Sequence, residues 1–143
     1  METHTIFRLV HPILGVGPWN THIVEGLRSL PDDVVYSIDS ARYALNAHYR
    51  FNPEYSSRHR PIVEDFIGWE SQYRCATNSL KTLREWFCVN DDVLNHLLDG
   101  NFTVMEYVVK YDSIIQSRSG RQVGFDPAGI VSERDLTILA LIE

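Results

Sequence analysis

Alternating apolar and polar positions mark several short stretches of the chain, and this two-residue period is typical of β-strands. The first stretch, Thr5–His11, is rich in β-branched and aromatic residues and ends before Pro12. Within it, Arg8 lies on the same face as Ile6 and Val10. Further strands are predicted at Val34–Ile38, Gln72–Thr77, Phe102–Val109, Ile114–Gln116 and Arg121–Phe125.

Helical spacing of apolar residues is clearest after Ser79, which is a favourable N-cap residue. Leu80, Leu83 and Phe87 share one face of this predicted helix, and Trp86 lies beside them. Other helices are predicted from Asn20 or Thr21 to Leu30, over Ala41–His48 and over Asp91–Leu98 with Gly100 as its C-cap, whereas Glu133–Leu141 fits a helix or a strand.

The predicted elements do not alternate as strict strand–helix units, so a parallel sheet is not indicated. The predicted fold is α+β, with a mixed, mostly antiparallel sheet, helices packed on it, and residues 1–143 forming a single domain. We expect one sheet to contain Thr5–His11, Phe102–Val109 and Arg121–Phe125. The apolar face of the Ser79–Phe87 helix is expected to pack against it.

The composition is that of an ordinary globular protein, since 44% of the residues are hydrophobic and 22% are charged. A chain of 143 residues can bury a sizeable core without a disulfide or a metal. The formal net charge of −6 argues against broad binding to nucleic acid, which requires a positive field.

Signals for targeting and for metal binding are weak in this sequence. The N-terminus lacks the pattern of a signal peptide, and no apolar stretch approaches the ~18 residues of a membrane span. Cys75 and Cys88 form no CxxC pair, and the histidines show no metal-ligand spacing, so neither a metal site nor a cofactor is predicted. We expect a cytoplasmic protein with reduced thiols and no membrane partner.

The turn Gly15–Trp19 is a first candidate site, with Arg8 and His11 just before it. Glycines set close together after a strand let the backbone approach a phosphate or a ribose. The alternative is a tight turn in which Trp19 covers the core, and Pro18 favours this because it removes a backbone donor.

A second candidate is the segment Arg42–Arg60, where cations alternate with aromatic residues against one acid, Glu54. Guanidinium groups can bind phosphate and aromatic rings can stack on bases, so the segment could bind a nucleotide or a single-stranded nucleic acid. The alternative is a solvated loop, since Asn52–Asp65 is the longest predicted loop. The members with candidate roles are Arg42, Tyr49, Arg50, Arg58, His59 and Arg60.

A third candidate combines Arg8, Ser79 and Gln122, which come from separate elements and would have to converge in a cleft. In that arrangement the arginine binds phosphate, the hydroxyl braces it and the amide contacts a ribose. The alternative is that Ser79 caps its helix and Gln122 is an exposed strand residue.

Five stretches of the chain resemble a group of small bacteriophage and prophage accessory proteins. They are Arg8–Trp19, His59-Arg60-Pro61 with Asp65, Ser79–Phe87, Tyr107-Val108-Val109 and Gly120–Phe125. Proteins of this kind include anti-defence factors and anti-CRISPR inhibitors. The resemblance therefore implies a phage-encoded protein that acts in the cytoplasm of its host.

The layout is also similar to that of ADP-ribosyltransferases of the Arg–Ser–Glu type, which use NAD. Arg8 matches the first-strand arginine, Ser79 the serine position and Gln122 the start of the late Gln-x-Glu strand. The catalytic glutamate is missing, because Gly124 stands in its place. This resemblance implies nucleotide binding without transfer.

The leading hypothesis is a binding protein that antagonises a host process, either by occluding a host protein or by sequestering a nucleotide-type ligand. An ADP-ribosyltransferase is the enzymatic alternative, and a structural phage protein is the third. The predicted binding residues are Arg8, His11, Trp19, Arg42, Tyr49, Arg50, Arg58, His59, Arg60, Ser79 and Gln122.

Overall fold

A computed structural model of the chain describes residues 2–51, 66, 68–120 and 122–142. The strands are β1 (Thr3–Val10), β2 (Arg74–Ala76), β3 (Thr103–Lys110), β4 (Ile114–Gln116), β5 (Val123–Phe125) and β6 (Ile130–Asp135). The α-helices are α1 (Asp32–Phe51), α2 (Leu80–Phe87) and α3 (Asp91–Asp99). Short 3-10 segments lie at Pro18–Ile23, Glu25–Ser29, Tyr111–Ser113, Pro127–Gly129 and Ile138–Leu141. The α+β fold class is confirmed.

The strands form two antiparallel sheets of three strands each, with the orders β1-β3-β6 and β2-β5-β4. The expectation of one sheet is therefore wrong, because β5 lies with β2 and β4. A bridge between described residues joins the sheets, and in it the Phe7 and Thr77 backbones exchange two hydrogen bonds of 2.9 Å. This bridge brings the edge of β1 against β2.

The predicted strand Val34–Ile38 is wrong, since these residues belong to the 20-residue helix α1. Ile38, Ala41, Leu45 and Tyr49 are buried along one side of α1, at spacings of three and four residues. Five residues of apolar character cannot distinguish a strand from a buried helix, and packing on α3 decides the outcome. Among the described residues, no helix is both long and apolar enough to cross a membrane.

The helix predicted from Asn20 or Thr21 to Leu30 is replaced by two 3-10 segments, Pro18–Ile23 and Glu25–Ser29. Val24 between them is extended, with φ −96° and ψ 122°, so the hydrogen-bond ladder of a helix cannot run through it. A capping residue favours the start of a helix but does not determine whether the helix continues, so the prediction is wrong.

Helices α2 and α3 confirm their predictions, including the N-cap Ser79 and the C-cap Gly100. The Ser79 hydroxyl accepts a hydrogen bond from the Thr82 N–H at 3.2 Å, and the Asn90 side chain accepts one from the Val93 N–H at 2.9 Å. Leu83 and Phe87 are buried in the main apolar core. The helix α2 is thereby held against β1.

The C-terminal segment Glu133–Leu141, compatible with a helix or a strand from sequence, contains part of both. The strand β6 ends at Asp135 and the 3-10 segment begins at Ile138. Thr137 between them has φ +62°, and this left-handed conformation turns the chain so that Ile138 and Leu141 enter the core.

Candidate functional site

A pocket of about 660 Å³ opens where β1, the turn after it, β2 and α2 meet. Its volume is within the range of small-molecule sites in proteins. Among the described residues that line it, two carry a charge, Arg8 and Arg74, and neither Asp nor Glu is present. The aromatic lining residues are Trp19, Trp69, Tyr73, Trp86 and Phe87.

The aromatic rings that line the pocket form two groups of ring contacts, which together are called the wall. In one group, the ring of Trp19 lies 5.2 Å from that of Phe87 on α2. In the other, the Trp69 ring lies 5.7 Å from that of Tyr73. The sequence contains three tryptophans, and all three line this pocket. Such a wall suits a planar ring, which gains stacking and apolar contact there.

The turn between β1 and the first 3-10 segment sets the position of Trp19. The His11 N–H donates to the Val16 carbonyl at 2.9 Å, and Gly15 has a left-handed φ of +73°. Pro18 is the first residue of the 3-10 segment that carries Trp19. The tight turn with Trp19 packed on the core is therefore present, and Trp19 also lines the pocket. The approach of the turn backbone to a phosphate or a ribose stays a prediction.

Two indole N–H groups at the pocket wall have no acceptor. The Trp86 side chain is 2% exposed and Trp19 is half-buried, and the Nε1 of each lacks a partner within the described part of the chain. The Trp86 backbone is held by the Tyr49 hydroxyl, which donates to the Trp86 carbonyl at 2.7 Å. A buried donor without an acceptor costs about 1–3 kcal/mol, so these groups are uncompensated in this structure.

The Arg8 side chain, like the two indole N–H groups, lacks a partner among the described residues. Its guanidinium is partly buried between β1 and β2, and it makes no hydrogen bond or ion pair with the described residues. Burial lowers the pKa of Arg8, and the nearby positive charge of Arg74 acts in the same direction, whereas Tyr107 and Cys75 oppose it. Arginine nevertheless keeps its charge at neutral pH. Among the described residues, this cation at the pocket therefore has no counter-ion.

Arg74 is exposed, and its position is fixed by backbone carbonyls. Its Nη1 donates to the carbonyl oxygens of Ser71, Gln72 and Tyr73 at 3.3, 3.0 and 3.0 Å. No carboxylate pairs with it among the described residues. The two guanidiniums, one partly buried and one at the surface, therefore present two positive charges to the same pocket.

Gly124 on β5 makes room for Trp69. A Cβ added at Gly124 would lie 2.9 Å from Trp69 Cζ3 and 2.9 Å from Ile115 Cγ1, which is closer than real Cβ contacts. The position where the transferase resemblance requires a glutamate is thus buried beneath a tryptophan of the pocket wall.

Cys75 lines the pocket beside Arg8. Burial raises the pKa of its thiol to about 11 from the ordinary 9.0, and the positive charge of Arg8 offsets only part of this effect. The thiol is therefore protonated at neutral pH and is a poor nucleophile.

We expect the raised pKa of Cys75 to make the protein less stable in alkali. Between pH 9 and about 11 the unfolded chain loses this proton while the folded chain keeps it, so the free energy of unfolding falls as the pH rises. The expected loss is roughly 2 kcal/mol. Urea unfolding of the parent and of Cys75→Ala at pH 8 and pH 11 measures it, since only the parent retains this contribution.

The exposed Cys88 provides the matched control for that measurement. Cys88→Ala should retain most of the alkaline loss seen in the parent, and subtracting the variants removes the contribution of Tyr107, whose pKa is also raised by burial. An equal alkaline loss in Cys75→Ala and in the parent would contradict the burial of the Cys75 thiol.

Several predicted binding residues lie inside the protein. His11 is 1% exposed, and its Nδ1 accepts hydrogen bonds from the Ile13 and Leu14 N–H groups at 3.2 and 3.3 Å. Tyr49 and Gln122 are each 2% exposed. None of these three lines the pocket, so their burial favours structural roles.

Arg42 and Ser79 have structural partners. Arg42 is largely buried and pairs with Asp39, with 3.1 Å between Nη1 and Oδ1. Ser79 caps α2, so it does not converge with Arg8 and Gln122 in the pocket. The predicted residues Arg58, His59 and Arg60, and the side chain of Arg50, lie outside the described residues.

For Ser79 we expect an effect on stability alone. Replacing it with Ala removes the acceptor of the Thr82 N–H and should lower the free energy of unfolding by about 1 kcal/mol, whereas Ser79→Asp keeps the cap. Thermal unfolding of both variants measures this effect. A loss of ligand binding in Ser79→Ala at unchanged stability would instead place the hydroxyl in the site.

Sequence reasoning missed most of the pocket wall. Trp69, Tyr73, Arg74 and Cys75 were given no binding role, although the segment 69–75 combines two aromatic residues and a cation. Trp86 was assigned only to the helix face. Within the described residues, no group of three or more His, Cys, Asp or Glu side chains is placed to hold a metal ion.

The comparisons with known proteins identify one family. A family model described as Bacteriophage T4 Y00F protein matches residues 1–138. No curated protein and no solved structure matches the chain significantly. The resemblance to small bacteriophage proteins is thereby confirmed, whereas the anti-defence role and the transferase likeness stay predictions.

Proposed function

We propose a ligand-binding function for this chain, which belongs to the bacteriophage T4 Y00F protein family. In this proposal the protein captures a small nucleotide-type molecule in the pocket between β1, β2 and α2. By holding it, the protein withdraws that molecule from a host process in the cytoplasm. Its role is sequestration rather than chemical conversion.

The observation that carries the proposal is the unpaired Arg8 beside an aromatic wall. A partly buried cation that has no partner among the described residues destabilises the folded protein unless another group, such as a ligand, compensates it. The net charge of −6 repels anions at long range, so an anion must be attracted locally. The wall of Trp19, Trp69 and Trp86 supplies the surface for the planar part of the ligand.

The chemistry of the pocket favours binding over catalysis. Its described lining contains no carboxylate or imidazole for acid–base work, and the Cys75 thiol is protonated. Asp126, the nearest acid to the position of the missing glutamate, accepts a hydrogen bond from the Ala128 N–H at 2.9 Å and caps a turn. We therefore propose sequestration rather than transfer of ADP-ribose.

The arginine–aromatic segment Arg42–Arg60 gives less support for occlusion of a host protein. Arg42 and Tyr49 turn inward, and most of the remaining predicted contacts lie outside the described residues. The pocket is the better-defined feature, so the small-molecule proposal is preferred.

The test is to identify what the protein carries from its host. Tagged parent protein and Arg8→Met are purified from infected cells, and the small molecules released by denaturation are identified by ultraviolet absorbance and mass spectrometry. We expect a phosphorylated aromatic compound from the parent and little from Arg8→Met. A parent that releases no such compound, or that is found instead as a stoichiometric part of purified virions, would contradict the proposal.

A further inference from the structure

The pocket contains two guanidinium groups, and these differ in their exposure to solvent. Arg8 is partly buried on β1, and Arg74 is exposed at the start of β2. Neither is neutralised by a described carboxylate. Both line the same pocket, and the Phe7–Thr77 bridge sets their two strands side by side. Their mutual repulsion also contributes to lowering the pKa of Arg8.

We infer that the pocket selects a nucleoside 5′-monophosphate, whose terminal phosphate dianion is held between Arg8 and Arg74 while its base lies against the tryptophan wall. This inference rests on the proposed function and specifies the ligand class.

The argument for a monoester is one of charge. A phosphate monoester carries about −1.5 to −2 at pH 7, because its second pKa is about 6. A cyclic or internal phosphodiester, like a carboxylate, carries a single negative charge and leaves one arginine uncompensated. Guanidinium groups also match the oxygens of a terminal phosphate in paired, charge-assisted hydrogen bonds.

The argument for a nucleoside rests on the wall. The rings of Trp19 and Trp69 both line the pocket, and base–aromatic stacking contributes about 1–3 kcal/mol per base. Inorganic phosphate reaches the arginines but leaves the wall unused. The monoester and the ring are therefore both required for tight binding.

The test is a titration followed by tryptophan fluorescence, with five probes: adenosine 5′-monophosphate, adenosine 3′,5′-cyclic monophosphate, adenosine, inorganic phosphate and a 5′-phosphorylated tetranucleotide. We expect the 5′-monophosphate to bind at least about tenfold more tightly than each of the others. Replacing Arg74 with Gln should weaken it about tenfold and reduce its advantage over the cyclic diester. Arg28→Gln, which removes an exposed charge outside the pocket, should change nothing.

The pH dependence of binding is a second measurement, and it reports on protonation of the ligand rather than of the protein. The charged or titratable groups around the two guanidiniums are Tyr73, Cys75 and Tyr107, and no described carboxyl or imidazole lines the pocket. Binding of the 5′-monophosphate should therefore fall about fivefold or more between pH 7.5 and pH 5, as the phosphate gains a proton, while binding of the cyclic diester stays level.

The outcomes distinguish a failure of this inference from a failure of the proposed function on which it rests. Equal affinity for the cyclic and terminal phosphates overturns the inference and leaves nucleotide capture intact. Equal affinity for inorganic phosphate and the 5′-monophosphate overturns the role of the wall. Tighter binding of a 5′-phosphorylated tetranucleotide than of the monophosphate would overturn the inference that the ligand is a free nucleotide. It would indicate instead that the pocket binds the 5′ end of a nucleic-acid strand. Binding of none of these probes overturns both proposals.

Discussion

Replacing Arg8 with Met is expected to weaken nucleotide binding by about 100-fold while making the protein more stable. Two charge-assisted hydrogen bonds from a guanidinium contribute about 3 kcal/mol, which corresponds to that factor. In the free protein the same guanidinium is partly buried, and no described residue pairs with it. Its removal should raise the free energy of unfolding by about 1 kcal/mol, because methionine fills the space without an uncompensated charge.

Opposite effects on binding and stability are the signature of a residue retained for its ligand. Isothermal titration with adenosine 5′-monophosphate and urea unfolding measure the two quantities. Arg28→Met, which removes an exposed charge outside the pocket, is the matched control and should leave both nearly unchanged. A variant Arg8→Met that binds normally, or that unfolds more easily than the parent by several kcal/mol, would show that Arg8 has a structural role.

Replacing Gly124 with Ala is expected to destabilise the protein by about 1–3 kcal/mol and to weaken binding, since overpacking a filled site forces side chains out of place. The new methyl group meets Trp69 and Ile115 at 2.9 Å, so the wall of the pocket must move. Denaturant unfolding and a nucleotide titration measure the two effects.

Gly26 provides the control for that substitution. A methyl group there meets its nearest atom, in Leu14, at 3.4 Å, and Gly26 is not part of the pocket. Gly26→Ala should therefore cost less stability than Gly124→Ala and leave binding unchanged. If Gly124→Ala has the stability and the affinity of the parent, the packing of Trp69 over β5 is wrong.

The elements that the sequence predicted correctly are those whose signals are local. The N-cap Ser79, the helical spacing after it and the alternation in β3 each depend on neighbours within a few residues. The division into two sheets could not be predicted, because the pairing of β5 with β2 joins residues about 50 positions apart. Likewise, the residues of Val34–Ile38 became helical through packing on α3.

The site was predictable only in part, for a similar reason. Arg8 and Trp19 were selected because they flank a glycine turn within one short stretch. Other lining residues, Trp69, Tyr73 and Arg74, come from a distant stretch that the Phe7–Thr77 bridge brings alongside β1. Conversely, the polar side chains of His11 and Gln122 suggest binding roles, but both residues are buried inside the folded protein.

The central claim is that the pocket holds a nucleoside monophosphate, and the indole N–H resonances test it most directly. The chain has three tryptophans and all of them line the pocket, so a ¹H–¹⁵N spectrum contains three indole signals that report on it. On titration with adenosine 5′-monophosphate we predict saturable shifts of these signals at one equivalent, absent in Arg8→Met. Three indole signals that stay in place at millimolar nucleotide would contradict the claim.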